Sequence, residues 1–223
     1  MRKADRFAAF IDYFHTNNVI AETELVYTSP FQLLVAVILS AQCTDKRVNQ
    51  ITPALFSNFP NPESLSKATF EDVFPLIRSC SYPNNKSKHL IGMAQMLVRD
   101  FEGRVPTEIQ DLQKLPGVGR KTANVVANVA FKQATMPVDT HVFRVAKRIG
   151  LASQNSKTPY DVEKQLVRHI PAKYLGDAHH WLILHGRYIC LARKPKCSEC
   201  GLKPFCRYFE KSTPMDSGIQ KSA

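Results

Sequence analysis

The stretch of sequence that decides the fold is LPGVGRKT, residues 115–122. Its two glycines, Gly117 and Gly119, permit positive φ and remove the β-carbons that would block the close approach of another surface. The backbone N–H groups of such a turn, together with the N-terminus of the following helix, can hold a phosphate oxygen. The stretch therefore predicts a helix-hairpin-helix, a motif that binds the DNA backbone without base-specific contacts. A tight helix–helix turn without a ligand is the alternative interpretation.

Charge around this turn favours the phosphate interpretation. The chain of 223 residues carries 30 Lys and Arg against 19 Asp and Glu, a formal net charge of +11. Such a balance is typical of proteins with a polyanionic partner, although a merely basic surface also explains it. Residues 117–148 contain six Lys or Arg and one acid, Asp139. The turn therefore lies in a segment of the chain with a large excess of basic over acidic residues.

Lys121 is the candidate nucleophile. It lies in the first turn of the helix predicted after the hairpin, where the helix macrodipole disfavours a cation by about 0.3–1 kcal/mol. A structural lysine gains nothing from that position. A nucleophilic lysine does, because positive potential from the helix end, Arg120 and Arg144 helps an amine to lose its proton. A lysine that contacts a DNA phosphate is the alternative.

Asp139 is the candidate carboxylate. Asp139 or Thr140 suits the N-cap of the helix predicted from Val142, and spacing alone favours this capping role. In a basic neighbourhood the same carboxylate can instead stabilise positive charge that develops on a sugar ring, or move protons to and from the lysine.

The rest of the chain indicates helices and little else. Ser29 and Pro30 form an N-cap and N1 pair before a buried helix over residues 31–41, and Thr107 with Gln110 forms a capping box. No segment alternates between apolar and polar residues with a period of two, so the predicted fold class is all-α.

The sequence indicates no membrane span and no targeting segment. The apolar run over 31–41 is too short to cross a membrane, and no signal peptide is indicated at the N-terminus. We therefore expect a cytoplasmic protein.

Four of the six cysteines fall within 17 residues near the C-terminus. In a cytosolic chain such a group predicts a metal centre rather than disulfides. Four thiolates suit tetrahedral zinc, and four Cys without His also suit an iron–sulfur cluster. Cys43 and Cys80 stand alone and are most simply core thiols. The clustered pattern is Cys190-x6-Cys197-x2-Cys200-x5-Cys206.

These motifs together resemble the endonuclease III family, which are DNA glycosylases with lyase activity in the helix-hairpin-helix superfamily. The resemblance spans about residues 1–210. It rests on the cysteine spacing and on LPGVGRKTANVV at 115–126, VDTHVFRVAKR at 138–148, SPF at 29–31, LSAQ at 39–42 and HHWLILHGR at 179–187.

The resemblance implies two helical lobes and a cofactor. A six-helix lobe with the hairpin is expected over residues 22–133, and an iron–sulfur lobe over 134–211 together with an N-terminal helix in 1–21. A [4Fe-4S] cluster is expected on Cys190, Cys197, Cys200 and Cys206. Residues 212–223 are expected to form a frayed tail.

The resemblance also implies the reaction and the partner. Lys121 is expected to be a Schiff-base nucleophile and Asp139 the essential carboxylate of an enzyme that removes oxidised pyrimidines and then nicks the abasic site by β-elimination. The expected partner is double-stranded DNA with damaged pyrimidines or abasic sites, bound by a monomer at the nucleoid.

Two residues are expected to enter the duplex. Gln42 corresponds to the family's plug residue, which fills the gap left by an extruded base. Tyr82 stands where the family usually has a leucine wedge, which puts the opposite-base preference in doubt. The expected DNA contacts are Gln42, Tyr82, Leu115, Gly117, Val118, Gly119, Arg120, Arg144, Arg187, Arg193, Lys194 and Lys196.

Two alternatives remain at this stage. An adenine-specific mismatch glycosylase has a similar hairpin and cluster, but that branch typically lacks the lysine, differs at Ser40-Ala41-Gln42 and adds a C-terminal domain. A non-catalytic DNA-binding module would need only hairpin, cluster and charge. Salt-dependent binding without strand scission at damaged sites would support such a module.

Overall fold

The computed structural model describes residues 1–17 and 22–212. These residues form helices and no strand, which confirms the all-α class. None of their helices is both long and apolar enough to cross a membrane. Residues 213–223, which hold most of the expected tail, lie outside the described residues.

Internal contacts divide the chain into two compact units. We call residues 22–137 the hairpin unit, and residues 1–21 with 138–223 the cluster unit. The boundary falls after Pro137 rather than after residue 133. Hydrogen bonds join Thr135 to the hairpin unit and explain this boundary. Thr135 Oγ1 donates to Asn124 O at 2.7 Å, and Asn128 Nδ2 donates to Thr135 O at 3.2 Å.

The hairpin unit contains seven α-helices, where the resemblance implied six. Two of them are a single turn long. The helices are α2 (Pro30–Ser40), α3 (Asp45–Asn58), α4 (Pro62–Ser66), α5 (Phe70–Ile77), α6 (Pro83–Asp100), α7 (Ile109–Leu112) and α8 (Arg120–Phe131).

Helix α2 is the centre of the hairpin unit. Every residue from Phe31 to Leu39 except Gln32 is buried, as expected of a helix that is apolar on all sides. Ser29 caps it by accepting from Gln32 N at 3.2 Å, with Pro30 in the first turn. The predicted start of this helix is therefore confirmed.

Helix α7 begins differently from the prediction. The capping box of Thr107 and Gln110 does not form, because the N-cap is Glu108, whose side chain makes no capping bond. The carbonyl of Thr107 instead accepts from Gln133 Nε2 at 2.9 Å.

The cluster unit packs its helices around aromatic rings. Phe14 of the N-terminal helix stacks on Trp181 with ring centroids 5.3 Å apart, and Phe10 meets the same ring edge-on. The elements described in this unit are α1 (Lys3–Thr16), α9 (Thr140–Ile149), α10 (Pro159–His169), α11 (Ala172–Tyr188), the 3₁₀ turns Cys197–Glu199 and Lys203–Phe205, and α12 (Arg207–Ser212).

Candidate active site and cluster loop

The conformation of the hairpin between α7 and α8 depends on one of its two glycines. Gly117 has φ +79°, and a β-carbon there would lie 3.0 Å from Cβ of His89 on α6. The N–H of Val118 donates to Leu115 O at 3.0 Å and closes the turn. The side chains of Leu115 and Val118 are buried in the core, so the DNA contacts expected of this pair stay a prediction for their backbone groups alone.

Gly119 has a different role from the one expected. Its φ of −85° and ψ of 177° need no glycine, and it is the N-cap of α8. Nothing lies within 4 Å of a β-carbon built on it. The N-cap residues of α2, α5 and α9 have a similarly extended backbone, and their side chains accept amides. Gly119 has no side chain to do so, which leaves the end of α8 suited to a phosphate oxygen.

Lys121 lies in the first turn of α8, as predicted, and is exposed. Arg120, the residue before it, is exposed as well. A primary amine, a guanidinium and amides without a side-chain cap therefore share one helix end. Such an end can hold an anion through its amides while the amine is available for covalent chemistry.

Asp139 caps α9, which confirms the role that spacing favoured. Its Oδ1 accepts from the N–H groups of His141 and Val142, both at 2.8 Å. Its Oδ2 lies 3.3 Å from Nδ1 of His141. Only 13% of the Asp139 side chain is exposed. A carboxylate held in one orientation also suits a group that stabilises positive charge.

Gln42 and Tyr82 lie on two loops that contact each other. Ser81 Oγ donates to Gln42 O at 2.5 Å. Gln42 and Tyr82 both have φ 55°, a left-handed conformation that costs about 1–3 kcal/mol outside glycine. Both are exposed, Tyr82 to 63%. Strained backbone at exposed residues is typical of functional sites.

The four C-terminal cysteines line one pocket of the cluster unit. It encloses about 360 Å³, counting its open mouth. Burial raises the pKa of Cys200 and of Cys206, and the charges of neighbouring cysteines raise both further. Neighbouring thiolates repel one another, and a bound metal centre would supply the positive charge that compensates for this repulsion.

The cysteine donor set fits an iron–sulfur cluster. Cys190, Cys197, Cys200 and Cys206 line one pocket, and four cysteine thiolates are the ligands of a [4Fe-4S] cluster. Four thiolates also suit tetrahedral zinc, so the family comparison below decides between the two.

Two residues outside the predicted site hold the cluster loop in place. Arg148 Nη1 donates to Leu191 O at 2.7 Å and lies 3.5 Å from Cys190 Sγ. His185 Nε2 lies 3.6 Å from Cys200 Sγ. Burial lowers the pKa of His185 to about 4, so this imidazole is neutral at physiological pH. No local sequence pattern indicates these contacts, because the cysteine partner of each residue lies at least 15 positions away in the chain.

Arg144 was expected to contact DNA, and the structure gives it partners within the protein. Its Nη2 donates to Gly186 O at 2.8 Å and to Cys190 O at 3.2 Å. The guanidinium thus joins α9 to the end of α11, and a DNA contact by Arg144 stays a prediction. The other basic residues expected at DNA in this unit are the half-buried Arg187 and the exposed Arg193, Lys194 and Lys196.

Comparisons with known proteins decide the family. Residues 35–172 match the HhH-GPD superfamily base excision DNA repair protein family, and residues 190–206 match the iron-sulfur binding domain of endonuclease III. The endonuclease III of Rickettsia felis is 50% identical over 198 residues, which cover 89% of this chain and 92% of the relative. The chain belongs to the endonuclease III family.

Two further comparisons support the same family. The endonuclease III of Escherichia coli K12 is 43% identical over 211 residues, which cover 95% of this chain and 99% of the relative. A solved structure of a trapped endonuclease III–DNA covalent intermediate aligns with a TM-score of 0.88 at 40% identity, over 95% of this chain and 99% of that one.

Family membership confirms the predicted enzyme class. The chain is a DNA glycosylase with abasic-site lyase activity, it binds DNA, and its cofactor is a [4Fe-4S] cluster. The mismatch-glycosylase and non-catalytic alternatives are not what its relatives support.

Replacing Cys197 with Ser should remove one thiolate from the cluster pocket. We expect the wild-type protein to be yellow-brown with about four iron atoms per chain, and Cys197→Ser to lose both colour and iron. Visible absorption and an iron assay measure this. Cys43→Ser is the matched control and should keep the colour. Stoichiometric zinc in a colourless wild-type protein would contradict the assignment.

Replacing Gly119 with Ser should stabilise the protein and weaken DNA binding. Serine caps a helix from this extended backbone, as Ser29 does in α2, with a gain of a few tenths of a kcal/mol over glycine. Its hydroxyl then occupies the amides that a phosphate needs. Calorimetry and fluorescence anisotropy at fixed salt measure the two effects.

Gly117→Ala is the control for the effect of Gly119→Ser on stability. It should lose about 1–2 kcal/mol of stability, because alanine is disfavoured at positive φ. Unchanged DNA affinity in Gly119→Ser would show that the hairpin amides do not bind phosphate.

Proposed function

We propose that this enzyme excises oxidised pyrimidines from duplex DNA and cleaves the resulting abasic site through a Schiff base on Lys121. The observation that carries the proposal is the end of α8, where exposed Lys121 follows amides that Gly119 leaves without a side-chain cap. A phosphate held by those amides fixes its nucleotide beside the amine. The trapped covalent complex of a related endonuclease III with DNA supports covalent chemistry.

Lys121 supplies the nucleophile. Its neutral amine attacks C1′ of the extruded nucleotide, and the glycosidic bond breaks as the base leaves with the bonding electrons. The nitrogen then loses a proton, the C1′–O4′ bond breaks as the ring oxygen takes up a proton, and the nitrogen forms an imine with C1′. The imine makes the C2′ protons acidic. Loss of one of them expels the 3′ phosphate and nicks the strand.

Asp139 supplies a fixed negative charge. Its carboxylate is held by the first amides of α9, and it stabilises the positive charge that develops on the sugar as the base departs. Capping and catalysis are compatible, because the cap fixes the orientation of the carboxylate without removing its charge.

Gln42 and Tyr82 make C1′ accessible. A stacked base shields C1′, so the damaged nucleotide has to leave the duplex before attack. Gln42 fills the gap and hydrogen-bonds the partner base, while the Tyr82 ring stacks beside it. Their loops are joined through Ser81, so the two side chains act as one wedge.

Phosphate binding comes from the hairpin and from the loop after Cys190. Arg120 adds charge at the hairpin, and Arg187, Arg193, Lys194 and Lys196 add charge around the cluster loop. The [4Fe-4S] cluster, when bound to its four cysteines, cross-links this loop and keeps its basic residues in place. We assign the enzyme to the cytoplasm, as a monomer that acts on nucleoid DNA.

Lys121→Ala should abolish the covalent adduct that borohydride traps on DNA with one abasic site. DNA binding should fall little, because the amides and the other basic residues supply most phosphate contacts. The measurements are gel detection of the adduct and anisotropy with uncut duplex. Lys132→Gln, at the other end of α8, is the matched control. A persistent adduct in Lys121→Ala would remove this lysine from the mechanism.

Asp139→Asn separates capping from charge. Asparagine caps as well as aspartate, so the melting temperature should stay close to that of the wild type. Base excision should fall by about 10²–10⁴-fold, the usual contribution of an acid–base group. Single-turnover assays on duplex DNA with one oxidised pyrimidine measure the rate. Wild-type activity in Asp139→Asn would restrict this residue to capping.

A further inference from the structure

Cys43 and Cys80, which the sequence indicated as separate core thiols, meet in the hairpin unit. They are 37 positions apart in the chain, and their Sγ atoms are 3.6 Å apart. Cys43 is half-buried in the loop after α2, whereas Cys80 is buried in the segment before α6. Two thiols at this distance need only a small movement to form a disulfide.

The two cysteines lie where the loops of the wedge are joined. Cys43 directly follows Gln42, and Cys80 precedes Tyr82 by two residues. The hydrogen bond from Ser81 to Gln42 O lies beside them. A covalent bond between the sulfurs therefore acts on Gln42 and Tyr82, both of which have left-handed backbone.

The two thiols differ in reactivity. Burial, followed by the hydrogen bond with Cys43, raises the pKa of Cys80 to about 11. The positive charges of Lys86 and Arg47 act in the opposite direction. Cys43 is the more accessible thiol and reacts first with a small oxidant, after which Cys80 is positioned to resolve the product.

We propose that Cys43 and Cys80 are a redox-active dithiol that closes to an intrachain disulfide in the presence of a low-molecular-weight disulfide. Closure slows the extrusion of a base from duplex DNA, and this functional part rests on the wedge proposed above. Cleavage of single-stranded abasic DNA, which needs no extrusion, stays unaffected.

The step balances as two thiol–disulfide exchanges. The Cys43 thiolate attacks one sulfur of oxidised glutathione and releases glutathione thiolate, which leaves a mixed disulfide on Cys43. The Cys80 thiol gives up its proton and attacks Sγ of Cys43, which releases the second glutathione. The protein loses two electrons and two protons, and one oxidised glutathione becomes two reduced ones.

Closure changes the geometry of the wedge. A disulfide holds its sulfur atoms about 2.05 Å apart, so the two Sγ atoms approach each other by about 1.5 Å from their present 3.6 Å. The neighbouring residues, Gln42 and Tyr82, have to absorb that movement. Misplacement by about 1 Å can cost a reaction on the order of a hundredfold, and we expect at least a tenfold loss on duplex substrate.

The experiment oxidises the cluster-loaded protein with glutathione disulfide. Peptide mass mapping should find a Cys43–Cys80 linkage that dithiothreitol reverses, while visible absorption shows that the cluster is intact. Excision from duplex DNA with an oxidised pyrimidine should fall at least tenfold. Nicking of a single-stranded abasic oligonucleotide should not change. Cys43→Ser should keep its duplex activity after the same treatment, and Cys80→Ala should stop at a glutathione adduct on Cys43.

The outcomes separate this proposal from the proposed function. The linkage is read by mass, so it is tested even if the reduced protein excises no pyrimidine, a result that would instead overturn the function. A stable glutathione adduct on Cys43 without the linkage overturns the dithiol. A linkage that leaves duplex excision unchanged, or a similar loss in Cys43→Ser, overturns its effect on the wedge.

Discussion

Lys86 donates its ammonium group to the carbonyls of Leu39 and Ala41, both at 2.7 Å, and these two bonds end the buried helix α2. The bond to the Leu39 carbonyl is buried, and a carbonyl left unsatisfied there costs about 1–3 kcal/mol. Burial lowers the pKa of Lys86. The hairpin unit thus removes this cation from water, and the ammonium group in turn satisfies carbonyls at the end of the central helix. The loops that carry Gln42 and Tyr82 therefore leave the core from fixed points.

The fixed loop ends account for the strained backbone of Gln42 and Tyr82. A left-handed residue outside glycine persists only where its surroundings determine it. Here the bond from Ser81 to Gln42 O and the Cys43–Cys80 contact join the loops to each other. A wedge that is already ordered loses less conformational entropy when it enters a duplex. Backbone strain in the free protein and efficient insertion by the proposed wedge would then be two effects of one arrangement.

Local sequence signals predicted several features that local contacts control, although the capping box of Thr107 and Gln110 does not form. The start of α2 at Ser29 and the spacing of the four clustered cysteines involve residues close in the chain, and the all-α class follows from many such signals. The distinct roles of Gly117 and Gly119 were not predictable, because only Gly117 approaches α6, through His89. The partners of Arg144 lie 42 and 46 residues away, which no local pattern reveals. The family that the resemblance implied is confirmed, whereas the catalytic and DNA-binding roles of the individual residues stay predictions.

The cluster loop shows how such distant contacts serve function. Arg193, Lys194 and Lys196 are exposed on a segment without regular structure between α11 and the first 3₁₀ turn. Side chains on a flexible loop would lose their freedom on every binding event. Arg144 and Arg148 instead bind the carbonyls at the start of this segment, and they lie on α9, the helix that Asp139 caps. One helix therefore fixes the proposed catalytic carboxylate at its beginning and the basic loop towards its end, so folding of the cluster unit orders both before DNA arrives.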